Sequence, residues 1–209
     1  MLAEYLKSAL ATLLVTVDPP GLAPIFLSLT LGMSAQARRQ VALRAALIAF
    51  GIMAAFGLVG AEVMKMLGIS LPAFRIAGGL LLFWIAFEMI FQLRAERKAN
   101  IAETAVTQDR IRNLAAFPLA TPLMAGPGAI TATILLAGRA GGSTWAMAIL
   151  MAVIALVVIA CYIIFLAAES FSRLLGVTGN VVLTRLLGVI LAALAVQFVI
   201  DGVIAVVRP

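Results

Sequence analysis

Apolar residues along this chain are gathered into long blocks separated by polar stretches. Six blocks, residues 8–31, 41–67, 72–93, 114–138, 143–168 and 181–207, are each long enough to cross a bilayer as a helix. The connections at 32–40, 68–71 and 141–142 are short. Only 94–112 is a long polar connection, mixing Arg94, Arg97, Lys98, Arg110 and Arg112 with Glu96, Glu103 and Asp109. The pattern predicts an all-α membrane protein with six transmembrane helices in one domain. The first block reads as a retained span, because apolar sequence resumes after Pro20 and no small-residue cleavage site follows.

Two blocks are interrupted at their centres. The fourth holds Pro122, Gly126, Pro127 and Gly128, and the first holds Asp18-Pro19-Pro20-Gly21 and then Pro24. Proline removes a backbone donor and clashes with the preceding turn, and glycine loosens what is left. Backbone freed at mid-membrane is tolerated only where it is buried in protein or lines a cavity. Spans 1 and 4 are therefore expected to be broken at mid-membrane, with the substrate site at the breaks.

Composition agrees with the block pattern and narrows the chemistry. The chain has 209 residues, is 64% hydrophobic and has a mean hydropathy of +1.17. Its net charge of +6 reads as a topology signal rather than a nucleic-acid footprint, because the basic residues sit mainly between apolar blocks. Lys7, Lys65, Arg139 and Arg208 fall on one side. Arg38, Arg39, Arg44, Arg94, Arg97, Lys98, Arg110, Arg112 and Arg173 fall on the other. That bias predicts a cytoplasmic loop at 94–113 and both termini outside. The absence of histidine excludes imidazole catalysis, histidine metal sites and an imidazole proton switch, and no cofactor is expected. Cys161 lies in an apolar block and reads as an inert small residue.

The two halves of the chain echo one another. Pro19 and Pro24 recur as Pro122 and Pro127, Arg75-x-x-Gly78 as Arg185-x-x-Gly188, and Glu62 as Glu169, in the same order. With three spans per half, the second copy must lie upside down. The expected architecture is two inverted three-helix repeats, residues 1–93 and 114–209, with the site at their interface.

Several segments together resemble the MarC family of bacterial inner-membrane proteins, which includes the SnatA-type transporters of small neutral amino acids. They are D-P-P-G-L-A-P-I-F-L-S-L-T, R-I-A-G-G-L, P-L-A-T-P-L-M-A-G-P-G-A-I-T and R-L-L-G with A-V-Q-F-V-I-D-G. The resemblance implies a secondary transporter of amino acids such as glycine or alanine, an exporter or exchanger in the inner membrane. Where the family often carries asparagine in span 1, this chain has Leu22.

On the residues themselves, each break offers a helix N-terminus with unpaired N–H groups and preceding carbonyls. Asp18 before Pro19 and Thr121 before Pro122 have the form of helix caps. Asp18, Pro19, Gly21, Pro24, Thr121, Pro122, Gly126, Pro127 and Gly128 are thus the expected substrate-binding positions, with Gln197 added from span 6. Such a site suits a zwitterion, with H+ or Na+ as coupling ion and Asp18 as a proton-coupling carboxylate, an ammonium-binding carboxylate or a structural cap. At ~1.5 Å per residue, Asp201 falls level with Arg75 and Glu88 level with Arg185. Two ion-pair latches are expected from this, Arg75–Asp201 and Glu88–Arg185, with Glu62 and Glu169 as competitors. Snorkelling of the long side chains is the plainer alternative. Lipid is a partner and homo-oligomerisation is left open. A non-transporting scaffold or sensor and a small-solute channel are the rival classes. An intramembrane enzyme lacks a nucleophile–base set.

Overall fold

A computed structural model describes residues 2–108 and 114–207. Asp109 of the polar connection and Arg110, Arg112 and Arg208, used above for topology, lie outside the described residues.

The described chain is helical. In order it forms α1 (Leu2–Val17), α2 (Pro19–Leu29), α3 (Ala35–Met66), α4 (Leu71–Ile90), α5 (Leu93–Gln108), an irregular coiled segment (Ala115–Met124), α6 (Pro127–Ala140), α7 (Thr144–Leu166) and α8 (Ala168–Val207). Three of these helices start on a serine cap. The hydroxyls of Ser34, Ser70 and Ser143 accept from the N–H groups of Ala37, Ala73 and Ala146. Each such cap is worth ~1 kcal/mol. α6 ends on Gly141 in the left-handed conformation, φ 57.

Five helical units are long and apolar enough to cross a membrane: Leu2–Leu29, Ala35–Met66, Leu71–Ile90, Thr144–Leu166 and Thr178–Val207. The coiled segment and α6, bent by 57° at their junction, make a sixth if counted as one span. The first unit is the most buried and α8 the least. Apolar side chains such as Leu47, Leu58, Leu80, Ile159 and Val189 stay exposed around the outside, as lipid-facing helices require.

Two connections differ from the sequence expectation. Residues 93–108 form a helix rather than a loop, and α8 begins at Ala168, turning at Gly176 (φ 62) before the apolar part.

Helix α1 packs on α6, α3 on α7 and α4 on α8, the last pair being the most extensive. Close approach explains that extent. A Cβ on Gly79 would lie 2.7 Å from Val199 Cγ2 and 2.8 Å from the Ala195 carbonyl, and one on Gly202 2.9 Å from the Pro72 carbonyl. Small residues at a helix interface let backbones approach in this way. Replacing Gly79 by leucine is expected to destabilise the protein by ~1–3 kcal/mol through overpacking. Thermal unfolding in detergent measures this, and an unchanged midpoint would contradict the packing described.

Candidate functional site

The fourth apolar block breaks for a local reason. Residues preceding proline are kept out of the helical region, and Phe117 (φ −133, ψ 126) and Thr121 (φ −131, ψ 125) are extended. Both are joined to their prolines, Pro118 and Pro122, by cis bonds. The chain recovers through wide turns in which Leu119 N–H donates to Leu114 O (3.3 Å) and Ala125 N–H to Ala120 O (2.8 Å). Thr121 is therefore not a helix cap, contrary to expectation. The helix restarts five residues later, with Gly126 at the cap and Pro127 as first helical residue. No side chain caps α6, and its first ladder bond runs from Ile130 N–H to Gly126 O at 3.0 Å. The N–H groups of Gly128 and Ala129 precede that bond, at the positive end of the helix dipole. A Cβ at Gly126 would strike the Pro122 carbonyl, so the turn requires glycine.

The first span is interrupted more gently. Asp18 sits in the left-handed region (φ 59, ψ 63), and its Oδ1 accepts the N–H of Gly21 at 3.2 Å, capping α2. The neighbouring ladder continues, Asp18 N–H donating to Leu14 O and Leu22 N–H to Asp18 O. Gly21 leaves room for the carboxylate, which any Cβ there would displace.

A cavity of about 330 Å³ opens against the break in the fourth span. Pro122, Met124, Gly126, Pro127 and Gly128 form one wall, Thr16 and Trp84 contribute from α1 and α4, and Arg94, Arg97 and Lys98 of α5 form the rest. A left-handed Gln92 (φ 66), whose Nε2 donates to Met89 O at 3.2 Å, lies between α4 and α5. Arg94 and Lys98, one turn apart, share a face of α5 and are buried.

The charges form a linked set. Lys98 Nζ meets Asp18 Oδ2 at 3.2 Å, with both side chains buried. Arg97 approaches Glu88 at 2.8 Å as a charge contact without hydrogen-bond alignment, and Glu88 Oε2 is left with no hydrogen-bond donor. Arg94 donates from Nη2 to the Thr16 carbonyl and from Nη1 to Met89 Sδ, both neutral. Burial pushes Lys98 down to about 8, with Asp18 pulling the other way. Burial lowers Arg94 as well, again opposed by Asp18.

The expected latches take other partners. Gly202 packs on Arg75, so Asp201 does lie near that level, but its carboxylate binds Arg139 of α6 and accepts from Gln197 Nε2 at 2.7 Å. Arg139 also donates to Ser8 and lies over the Phe198 ring. Glu88 turns to Arg97, and Arg185 is exposed. Glu169 pairs with Arg38. Helix rise sets depth but not rotation about the helix axis, and rotation chose these partners. Gln197 is exposed beside Asp201, away from the cavity. Pro19 is buried, while Pro24 faces a separate cavity of about 260 Å³ with Pro20, Ser172 and Asn180. Leu22 is fully buried in the core. Arg94, Arg97 and Lys98 were missed as site residues because 94–112 read as a loop. Their spacing, with Ile101 following, was the available signal.

Lys98 gives a pH signature. Its folded-state value lies below the ordinary lysine value of 10.5, so between about pH 8 and 10.5 the unfolded chain binds more protons. Stability from this group therefore rises with pH across that window. Thermal unfolding of the wild type, compared with Lys98→Met, is expected to show this extra rise. Parallel profiles would contradict it.

Compared with known proteins, the chain matches the MarC family integral membrane protein description over residues 3–207. It is 35% identical over 201 residues to a UPF0056 membrane protein of Methanocaldococcus jannaschii, covering 96% of each chain. It is 37% identical to one of Archaeoglobus fulgidus, covering 96% of this chain and 94% of that one. It is also 37% identical to the UPF0056 membrane protein YhcE of Escherichia coli, covering 91% and 88%. No solved structure matches it. These names describe membrane proteins and state no activity. The apolar helices fit a multi-pass membrane protein, and with a match over nearly its whole length the chain belongs to the MarC family of integral membrane proteins.

Proposed function

We propose that this protein is a secondary transporter that moves small neutral amino acids, such as glycine and alanine, by alternating access between two inverted three-span halves. The observation that carries the reading is the 330 Å³ cavity at the break of the fourth span, with uncapped α6 N–H groups and a basic wall. Donors there suit a carboxylate, and carbonyls freed by the irregular coil suit an ammonium. The volume admits a small solute and little more.

The packing supports the inverted halves. A two-fold relation exchanges spans 1, 2 and 3 with spans 4, 5 and 6, and the contacts between the halves survive that exchange. Contacts of α3 with α6 are mirrored by contacts of α7 with α1 and α2, and those of α4 with α6 by those of α8 with α1 and α2. Broken helices in corresponding positions of such halves belong to transporters that rock around a midplane site.

Asp18 is the coupling carboxylate in this reading, released from Lys98 when the site opens to one side. Uptake of labelled glycine and alanine into proteoliposomes, with and without proton and sodium gradients, tests the proposal. Accumulation driven by one gradient is expected. Asp18→Asn is expected to lower the rate at least tenfold, since a charge-assisted hydrogen bond is worth ~1.5–3 kcal/mol. The charge-neutral pair Asp18→Asn with Lys98→Met restores the balance of buried charge but not coupling. If that double variant accumulates solute as the wild type does, Asp18 is structural. If neither amino acid moves under any gradient, the transport reading fails.

A further inference from the structure

We propose that Arg94 receives the carboxylate of the solute, so that the site selects small carboxylates as a class and does not require their amino group. This rests on the reading of the same cavity as a solute site.

Arg94 is 8% exposed, and the hydrogen bonds of its guanidinium among the described residues go to the Thr16 carbonyl and Met89 sulfur, both neutral. Among the described residues, no carboxylate lies within ion-pair distance of it. The two acids nearby are committed elsewhere: Asp18 to Lys98 and the Gly21 N–H, Glu88 to Arg97. Arg97 is half exposed, so among the described residues Arg94 is the buried cation of this cluster with no carboxylate within ion-pair distance, in a mostly apolar surround. Buried charges in native proteins are paired, and an unpaired one is costly. An arriving carboxylate removes that cost; an arriving ammonium adds to it.

The same carboxylate finds further donors within reach. Thr16, whose carbonyl Arg94 holds, also lies against α6, with its Cγ2 3.3 Å from where a Gly128 Cβ would stand. Arg94 and the free N–H groups at the start of α6 therefore flank one residue and line one cavity. A guanidinium fork and a helix N-terminus are both matched to a planar anion. Neither Asp18 nor Glu88 is among the residues lining the cavity, so neither carboxylate is placed to hold the amino group there.

Ligand-induced thermal stabilisation of the purified protein tests this with alanine, propionate, ethylamine and chloride at matched concentrations. Alanine and propionate are expected to bind with affinities within about tenfold of each other. Ethylamine and chloride are expected not to bind. Arg94→Gln is expected to weaken both carboxylates about 10- to 100-fold, the range for losing a charge-assisted hydrogen bond. Arg97→Gln, on the exposed side of the cavity, is expected to change them less than about threefold. Binding of ethylamine but not propionate overturns the proposal, as does chloride acting as well as propionate. These ligand arms use the wild-type protein and stand even if Arg94→Gln does not fold. Arg94-dependent binding of carboxylates without glycine or alanine flux would sink the amino-acid reading and keep this one. Intact transport with carboxylate binding indifferent to Arg94→Gln would do the reverse.

Discussion

The architecture turns on one constraint: backbone polar groups cannot face lipid unsatisfied. The Pro122 and Gly126-Pro127-Gly128 stretch forfeits helix hydrogen bonds in the middle of an apolar span, so it must be enclosed. The structure encloses it with α1, α3, α4 and α5, and the space left over is the cavity. The same constraint orders the first span, where Asp18 replaces a lost ladder partner for Gly21 and then needs Lys98 to balance its charge. Each repair calls for another, and together they place α5 against the broken helices.

Charge is distributed around the cavity on two levels. On the α5 side, Asp18, Lys98, Glu88, Arg97 and Arg94 meet within one network. Away from the cavity, Arg139 ties α6 to Ser8 of α1 and to Asp201 of α8. Both sets join helices from different halves of the chain or its connecting segment, so either must rearrange if the halves rock. Partly buried pairs of this kind are sensitive to single substitutions, because removing one partner leaves the other charge unpaired.

The apolar blocks and the proline-glycine interruptions were legible in the sequence because they depend on local chemistry. The Asp18 cap was legible too, since Asp-Pro-Pro-Gly offers an acceptor and the residues that start a helix. The restart of the fourth span was misplaced from Gly126 to Thr121, because the extended conformation imposed before Pro122 outweighs the capping tendency of threonine. The partners of Glu88 and Asp201 were not legible. Rise along the helix gave their depth, but Arg97 and Arg139 reach them from helices whose rotation only packing decides. The role of α5 was hidden for a related reason: its mixed charges read as solvated loop, while burial of Arg94 and Lys98 depends on the break they cover.

The central claim is that the fourth-span break opens onto a space a solute can enter. Single-cysteine accessibility tests this most directly. Pro127→Cys, in a Cys161→Ser background, places an exposed thiol on the cavity wall at the break. Labelling by a membrane-impermeant thiol reagent, slowed by added glycine, is the result this account predicts. A thiol as unreactive as buried Cys161 in the wild type, with or without glycine, would contradict it.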